Sequence, residues 1–167
     1  SLVKVGNLED DFDVVAKVDW VIEAIVENLE IKRRLMDRID AIRLPESIVS
    51  TNTSGLPVAS IAESRSESFR QHFLGTHFFN PPRYLKLLEI IPTGDTLPEV
   101  AEFISFFGEY HLGKGIVLCK DTPNFIGNRF FAVAASYGIE HGLQSGYTVA
   151  EIDTITGPQI GRPKTAT

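Results

Sequence analysis

Residues 18–55 read "VDWVIEAIVENLEIKRRLMDRIDAIRLPESIVSTNTSG", and the order of patterns in this stretch decides the fold. Residues 18–26 form a nearly unbroken apolar run, the habit of a strand buried on both faces of a parallel sheet. Asn28 can cap a helix, and Ile31, Leu35, Ile39 and Ile42 follow at helical spacing before "RLPES" breaks the pattern. Residues 47–50 supply a short strand that ends in a polar turn carrying Asn52, Thr53, Ser54 and Gly55. Strand, helix, strand in this order is the βαβ unit of an α/β protein.

Working outward, a second helix is predicted near 56–63, then two strands in "FLGTHFF" (73–79) and "LKLLEII" (85–91), separated by "NPPRY". A parallel crossover needs about a dozen residues or more, so this short connection makes the pair antiparallel and the sheet mixed. A helix at 97–109 places Val100, Phe103, Ile104 and Phe107 on one face, and "GIVLCK" (115–120) is a further strand. From Asp121 the pattern changes to "DTPNFIGNRFFAVAASYGIEHGLQSG", helical in composition on all sides, so a domain boundary is placed between residues 120 and 121. Thr148 and Glu151 form a capping box for another helix, which "TGP" ends near residue 156. The residues from 159 onward are expected to be too few to cover the apolar faces of two helices.

Composition bounds the chemistry. With 43% hydrophobic and 23% charged residues, the chain has the profile of an ordinary globular protein. Its net charge of −6 argues against a nucleic-acid surface, which needs clustered Lys and Arg. Cys119 is the one cysteine, so neither an intrachain disulfide nor a multi-cysteine metal site can form, and a reducing compartment is expected. No apolar run is long enough to span a bilayer, and no leader pattern opens the chain.

Four positions could carry chemistry. His77 and Glu89 lie on the two strands of the antiparallel pair, and a register pairing 77 with 89 or 87 puts both on one face. A carboxylate accepting one ring N–H fixes the tautomer and stabilises the imidazolium, which is the geometry of an oriented base. The alternative is a hydrogen-bonded strand-edge histidine and a solvated glutamate. His77, Asn52 and Ser54 all follow or end strands, where open α/β sheets bind ligands. Ser54 reads as a turn residue satisfying backbone, as a donor to a substrate oxygen, or as a nucleophile with His77 and Glu89, although "NTSGL" lacks the G-x-S-x-G elbow. Asn128 reads equally as a helix-end or interdomain hydrogen bond, or as a donor expected across a domain cleft. Glu27 and Lys32 read from the residues alone as solvated helix-end charges. His72, His111 and His141 read as surface or loop residues, and no metal-ligand spacing is found.

Taken together, "DWVIEAIVENLEIK", "STNTSG", "GTHFFNPP", "KLLEII", "CKDTPNFIGNR" and "DTITGPQIGRPKTAT" resemble the 3-hydroxyacyl-CoA dehydrogenase family almost from end to end. The resemblance implies a partial Rossmann-type mixed sheet with flanking helices over 1–120, followed at 121–167 by the start of an all-helical domain that usually mediates dimerisation. It implies oxidation of an L-3-hydroxyacyl-CoA to the 3-ketoacyl-CoA with hydride passing to NAD, as in fatty-acid β-oxidation, in a bacterial-type cytoplasmic enzyme. By motif position His77 is similar to the general base and Glu89 to the carboxylate that orients it. Ser54 and Asn128 match the partners of the reacting oxygen, and Glu27, Lys32, Asn52 and Ser54 match residues lining the cofactor cleft.

One departure from that family matters. No G-x-G-x-x-G occurs: "GKGIVL" (113–118) has a leucine in place of the third glycine and opens a strand instead of a helix. The chain is therefore expected to be an internal fragment that binds NAD poorly, turns over little substrate and self-associates through an unpaired strand and exposed helix faces. A Ser–His–Glu acyl hydrolase and a non-catalytic assembly module stand as the alternatives.

Overall fold

A computed structural model describes residues 2–157 and 160–161. They fall into two compact units, Ser1–Phe125 and Ile126–Thr167.

The first unit is built on a mixed sheet of five strands in the order β1-β2-β3-β4-β5. β1 is Trp20–Glu23, α1 Leu29–Ile42, β2 Ile48–Thr51, α2 Val58–Ile61, α3 Glu67–Gln71, β3 Phe73–Phe78, β4 Leu87–Pro92, α4 Pro98–Tyr110 and β5 Gly115–Leu118. β1, β2 and β3 run parallel, β3 and β4 antiparallel, and β4 and β5 parallel, the antiparallel step falling where the short connector requires it. Successive strand residues point to opposite faces, so Phe73 and Leu74 enter two separate cores. On one face Leu35, Met36 and Ile39 of α1 pack with Val49, Val58, Ile61, Phe73, Ile91 and Phe125. On the other, Val100 and Ile104 of α4 pack with Leu74, Leu88 and Ile90. Each such side chain taken fully out of water contributes about 1.5–3 kcal/mol, enough to hold both helix layers on the sheet.

Several local expectations are corrected. The strand expected over 18–26 is only Trp20–Glu23, and it lies at the sheet edge with Ile22 47% exposed instead of buried on both faces. It ends there because the Glu23 carboxylate accepts the N–H of Ile25, turning the chain out of the ladder. Asn28 caps α1 by accepting the N–H of Ile31, but the inward stripe is Lys32, Leu35, Met36 and Ile39, with Ile31 and Ile42 exposed. The helix expected over 56–63 is the shorter α2, and α3, capped by Ser66, was not anticipated. On α4, Phe103 is 53% exposed instead of sharing the buried face of Val100 and Ile104.

The second unit contains α5, Gly127–Gln144, and α6, Val149–Thr156. The Thr148–Glu151 capping box is formed in both directions. α6 seats Ile152 against α5 at Gly142, where an added Cβ would lie 2.7 Å from the Ile152 side chain. α5 buries no residue and exposes Phe130, Val133 and Tyr137. Residues 121–125, placed by the sequence with the helical segment, belong instead to the sheet unit. Asp121 accepts the N–H groups of Val58 and Ala59, and Phe125 is buried in the α1-side core.

Candidate active site

The carboxyl ends of β1, β2 and β3 share one edge of the sheet, and two buried polar couples stand there on the same face. The first is His77 with Glu89. The register pairs them directly across β3 and β4, and His77 Nδ1 lies 2.7 Å from Glu89 Oε2. Both side chains are buried, at 4% and 0% residue exposure, so water does not compete for this bond. At that separation one proton lies between ring nitrogen and carboxylate, leaving Nε2 as the nitrogen not engaged by Glu89. The bland reading of a solvated Glu89 is therefore excluded by its burial. Gly75, one step earlier on the same face, keeps Val58 and Ile91 close: an added Cβ would sit 3.0 Å from each of them.

The second couple is Glu23 with Lys32. Lys32 Nζ lies 2.7 Å from Glu23 Oε1, donates to the Ile25 carbonyl at 3.3 Å, and reaches Glu27 Oε2 at 3.3 Å. Glu23 Oε2 accepts the Thr51 hydroxyl at 2.5 Å. Lys32 is thus no solvated helix-end charge: its side chain is 1% exposed, and an ammonium so placed requires the carboxylate beside it.

Glu27 continues this network to the turn after β2. Its Oε1 accepts the hydroxyl of Thr53 at 2.5 Å and the N–H groups of Ser54 at 3.0 Å and Gly55 at 3.2 Å. Burial pushes the Glu27 carboxyl up, but these three hydrogen bonds and the Lys32 ammonium outweigh it and hold the group below its ordinary value. Asn52 Oδ1 accepts the N–H of Phe78 at 2.8 Å, tying the same turn to the residue after His77. Through these contacts the chain brings Glu27, Lys32, Asn52 and Ser54 to one edge. Glu27 and Ser54 are exposed there, whereas Lys32 is buried and Asn52 half-buried, so the latter two shape the turn from beneath.

Asn128 lies on the first turn of α5, in the second unit, and is half-buried there. Of the other histidines, His72 is half-buried with Nδ1 2.9 Å from the Ser68 carbonyl, and His111 and His141 are exposed. Among the described residues no cluster of His, Cys, Asp and Glu could hold a metal ion, and no helix is long and apolar enough to cross a membrane.

Glu23, Thr51, Phe79 and Phe125 are not singled out by the sequence, and Thr53 is marked only as a residue of the polar turn. Glu23 had a usable signal, a lone acid inside an apolar strand, which has to meet a cation or donors when buried. Phe79 also had one, since alternation along the expected strand 73–79 puts it on the face of His77, and the two rings stand 4.5 Å apart, centroid to centroid. Phe125, at 5.6 Å, had none, because its approach comes from a segment distant in the chain.

Residues 1–122 match the family model described as 3-hydroxyacyl-CoA dehydrogenase, NAD binding domain. A probable 3-hydroxyacyl-CoA dehydrogenase of Bacillus subtilis is 54% identical over 167 residues, all of this chain and 21% of the relative. The mitochondrial hydroxyacyl-coenzyme A dehydrogenase of Homo sapiens is 37% identical over 163 residues, 98% of this chain and 51% of the relative. Among solved structures, 3-hydroxybutyryl-CoA dehydrogenase from Escherichia coli matches with a TM-score of 0.71 at 33% identity, over 81% of this chain and 28% of that one. The chain spans at most 51% of the length of these three proteins.

Proposed function

The chain belongs to the 3-hydroxyacyl-CoA dehydrogenase family, and on that premise we propose that it carries the proton-transfer centre for oxidising an L-3-hydroxyacyl-CoA to the 3-ketoacyl-CoA. The observation that carries this reading is the buried His77–Glu89 couple at the carboxyl edge of the sheet. His77 Nε2 accepts the C3 hydroxyl proton as the C3–H bond gives up its hydride, and Glu89 holds the resulting imidazolium through Nδ1. Ser54 acts as a donor to the substrate oxygen as its charge changes, and Asn128, on α5 of the second unit, is assigned a donor role by its match to the family motif alone.

Bound NAD supplies the hydride acceptor. The residues present fit one part of it: Glu27 is an exposed, ionised acceptor suited to a ribose hydroxyl, and Ser54 is an exposed hydroxyl on the same turn. They do not fit its pyrophosphate. The turn from β1 to α1, residues 24–28, has no glycine, while Gly113 and Gly115 precede and open β5. Lys32 and Asn52 support the site through Glu27 and the turn. A CoA thioester as substrate, a cytoplasmic location resting on the lone Cys119, and self-association through the apolar surface of α5 complete the proposal.

The test is acetoacetyl-CoA-dependent NADH oxidation, followed as a single turnover with the chain in excess because the turn at 24–28 offers no glycine to the pyrophosphate. His77→Gln is expected to slow the reaction by about 10²–10⁴-fold. A His77→Gln rate within a few-fold of the unmodified chain would overturn the assignment.

A further inference from the structure

Glu89 is not the whole of what holds the imidazole. Phe79 and Phe125 stand against it at 4.5 and 5.6 Å between ring centroids, each tilted by about the same angle, 56° and 55°. Phe125 is reached through an unusual backbone: Asn124 has φ +62° and Phe125 φ +45°. Asn tolerates the left-handed region, but a bulky aromatic there is a genuine outlier, and Phe125 persists in it only where the surroundings over-determine the conformation.

Those surroundings are specific. The segment leaves β5 still bonded to β4, with the Cys119 N–H on the Ile90 carbonyl at 2.8 Å. Asp121 then fastens it to the start of α2 with both carboxylate oxygens, on the Val58 N–H at 2.9 Å and the Ala59 N–H at 2.9 Å. The Thr122 N–H meets the Lys120 carbonyl at 2.8 Å, and the Phe125 N–H closes a turn on the Thr122 carbonyl at 3.0 Å. The Phe125 side chain is 2% exposed and shares the core of Val58, Ile61 and Phe73. An ordinary extended or helical conformation at 124–125 would carry that ring elsewhere.

We propose that Asp121 and Phe125 are positioning residues for His77: the latched, left-handed turn presses the Phe125 ring against the imidazole. Phe79 closes on the ring as well, holding Nδ1 on Glu89 and keeping water from that bond. The inference rests on reading His77 as the proton acceptor. Its readout is separate, because it reports ring orientation and protection without substrate or cofactor.

The experiment is NMR of the chain with 15N-labelled histidine, following the His77 Nδ1–H proton and the two ring nitrogens. The unmodified chain is expected to give one tautomer with a slowly exchanging Nδ1–H. Phe125→Leu keeps an apolar side chain but removes the ring, and should speed Nδ1–H exchange at least tenfold, with Phe125→Tyr restoring protection. Asp121→Ala should act in the same direction, and Asn124→Gly, which keeps the ring and relaxes the backbone, should leave the signal unchanged. Folded Phe125→Leu with Nδ1–H exchange within twofold of the unmodified chain overturns the proposal. If Phe125→Leu does not fold, unchanged exchange in Asp121→Ala overturns it. Failure of the turnover test with an intact Nδ1–H signature would instead remove the proton-acceptor role and leave the positioning geometry standing.

Discussion

Replacing Lys32 with methionine tests whether the buried ion pair organises this edge of the sheet. Methionine keeps most of the buried hydrocarbon stem, so the apolar contribution hardly changes and the loss is electrostatic. Glu23, 3% exposed, would be left with the Thr51 hydroxyl and the Ile25 N–H as its described partners. Orphaning one member of a buried pair costs about 3–5 kcal/mol. The contact to Glu27 adds little, because that carboxylate is 43% exposed and pairs of this kind contribute about 0–1 kcal/mol. Against a total stability of about 5–15 kcal/mol this is a large fraction. With a urea slope of about 2 kcal/mol per molar, the midpoint should fall by roughly 2 M. Equilibrium urea unfolding gives this number directly, and amide exchange at Ser54 and Gly55 should quicken as Glu27 loses its anchor. The double variant Glu23→Leu/Lys32→Met should cost less than Lys32→Met alone, since no charge is then left buried without its partner. A Lys32→Met midpoint within experimental error of the unmodified chain, or a double variant that costs the sum of its parts, would refute the reasoning.

Three further outcomes follow from the same geometry. Gly75→Ala would force a Cβ to 3.0 Å from both Ile91 and Val58, and should cost about 1–3 kcal/mol in thermal or urea unfolding. At Asn124, φ +62°, substitution by alanine should destabilise by about 1 kcal/mol while glycine stays within about 1 kcal/mol of the native residue, read as midpoint shifts. Glu27 is held below its ordinary value of 4.5, so folding favours its charged form; that contribution is complete above the unfolded value and is lost as pH falls through the folded one. A Thr53→Val variant, which removes one of its donors, should therefore have a lower urea midpoint than the unmodified chain at neutral pH, with the difference shrinking as pH falls through the lowered folded value.

Much of this architecture is legible in local pattern. The alternation of strand and helix, the cap at Asn28, the capping box at Thr148 and Glu151 and the antiparallel turn at 80–84 all rest on periodicity, capping chemistry or connector length, which a linear chain displays. The pairing of His77 with Glu89 was legible only as one choice among registers: pairing 77 with 89 or 87 puts both on one face and an odd register separates them, and the tertiary structure fixes His77 opposite Glu89.

What the chain could not reveal by itself depends on partners distant in sequence. Helical spacing nominates Ile31 as readily as Lys32 for the inward face, and only Glu23, brought beside it by β1, makes the buried ammonium affordable. Likewise residues 121–125 read as the opening of a helix, because nothing local announces that Asp121 will cap α2 or that Phe125 will enter the core beside His77. Periodicity and capping are properties of neighbours along the chain; desolvating a charge or holding a left-handed aromatic depends on what folds against it, and that is settled only when the tertiary contacts form.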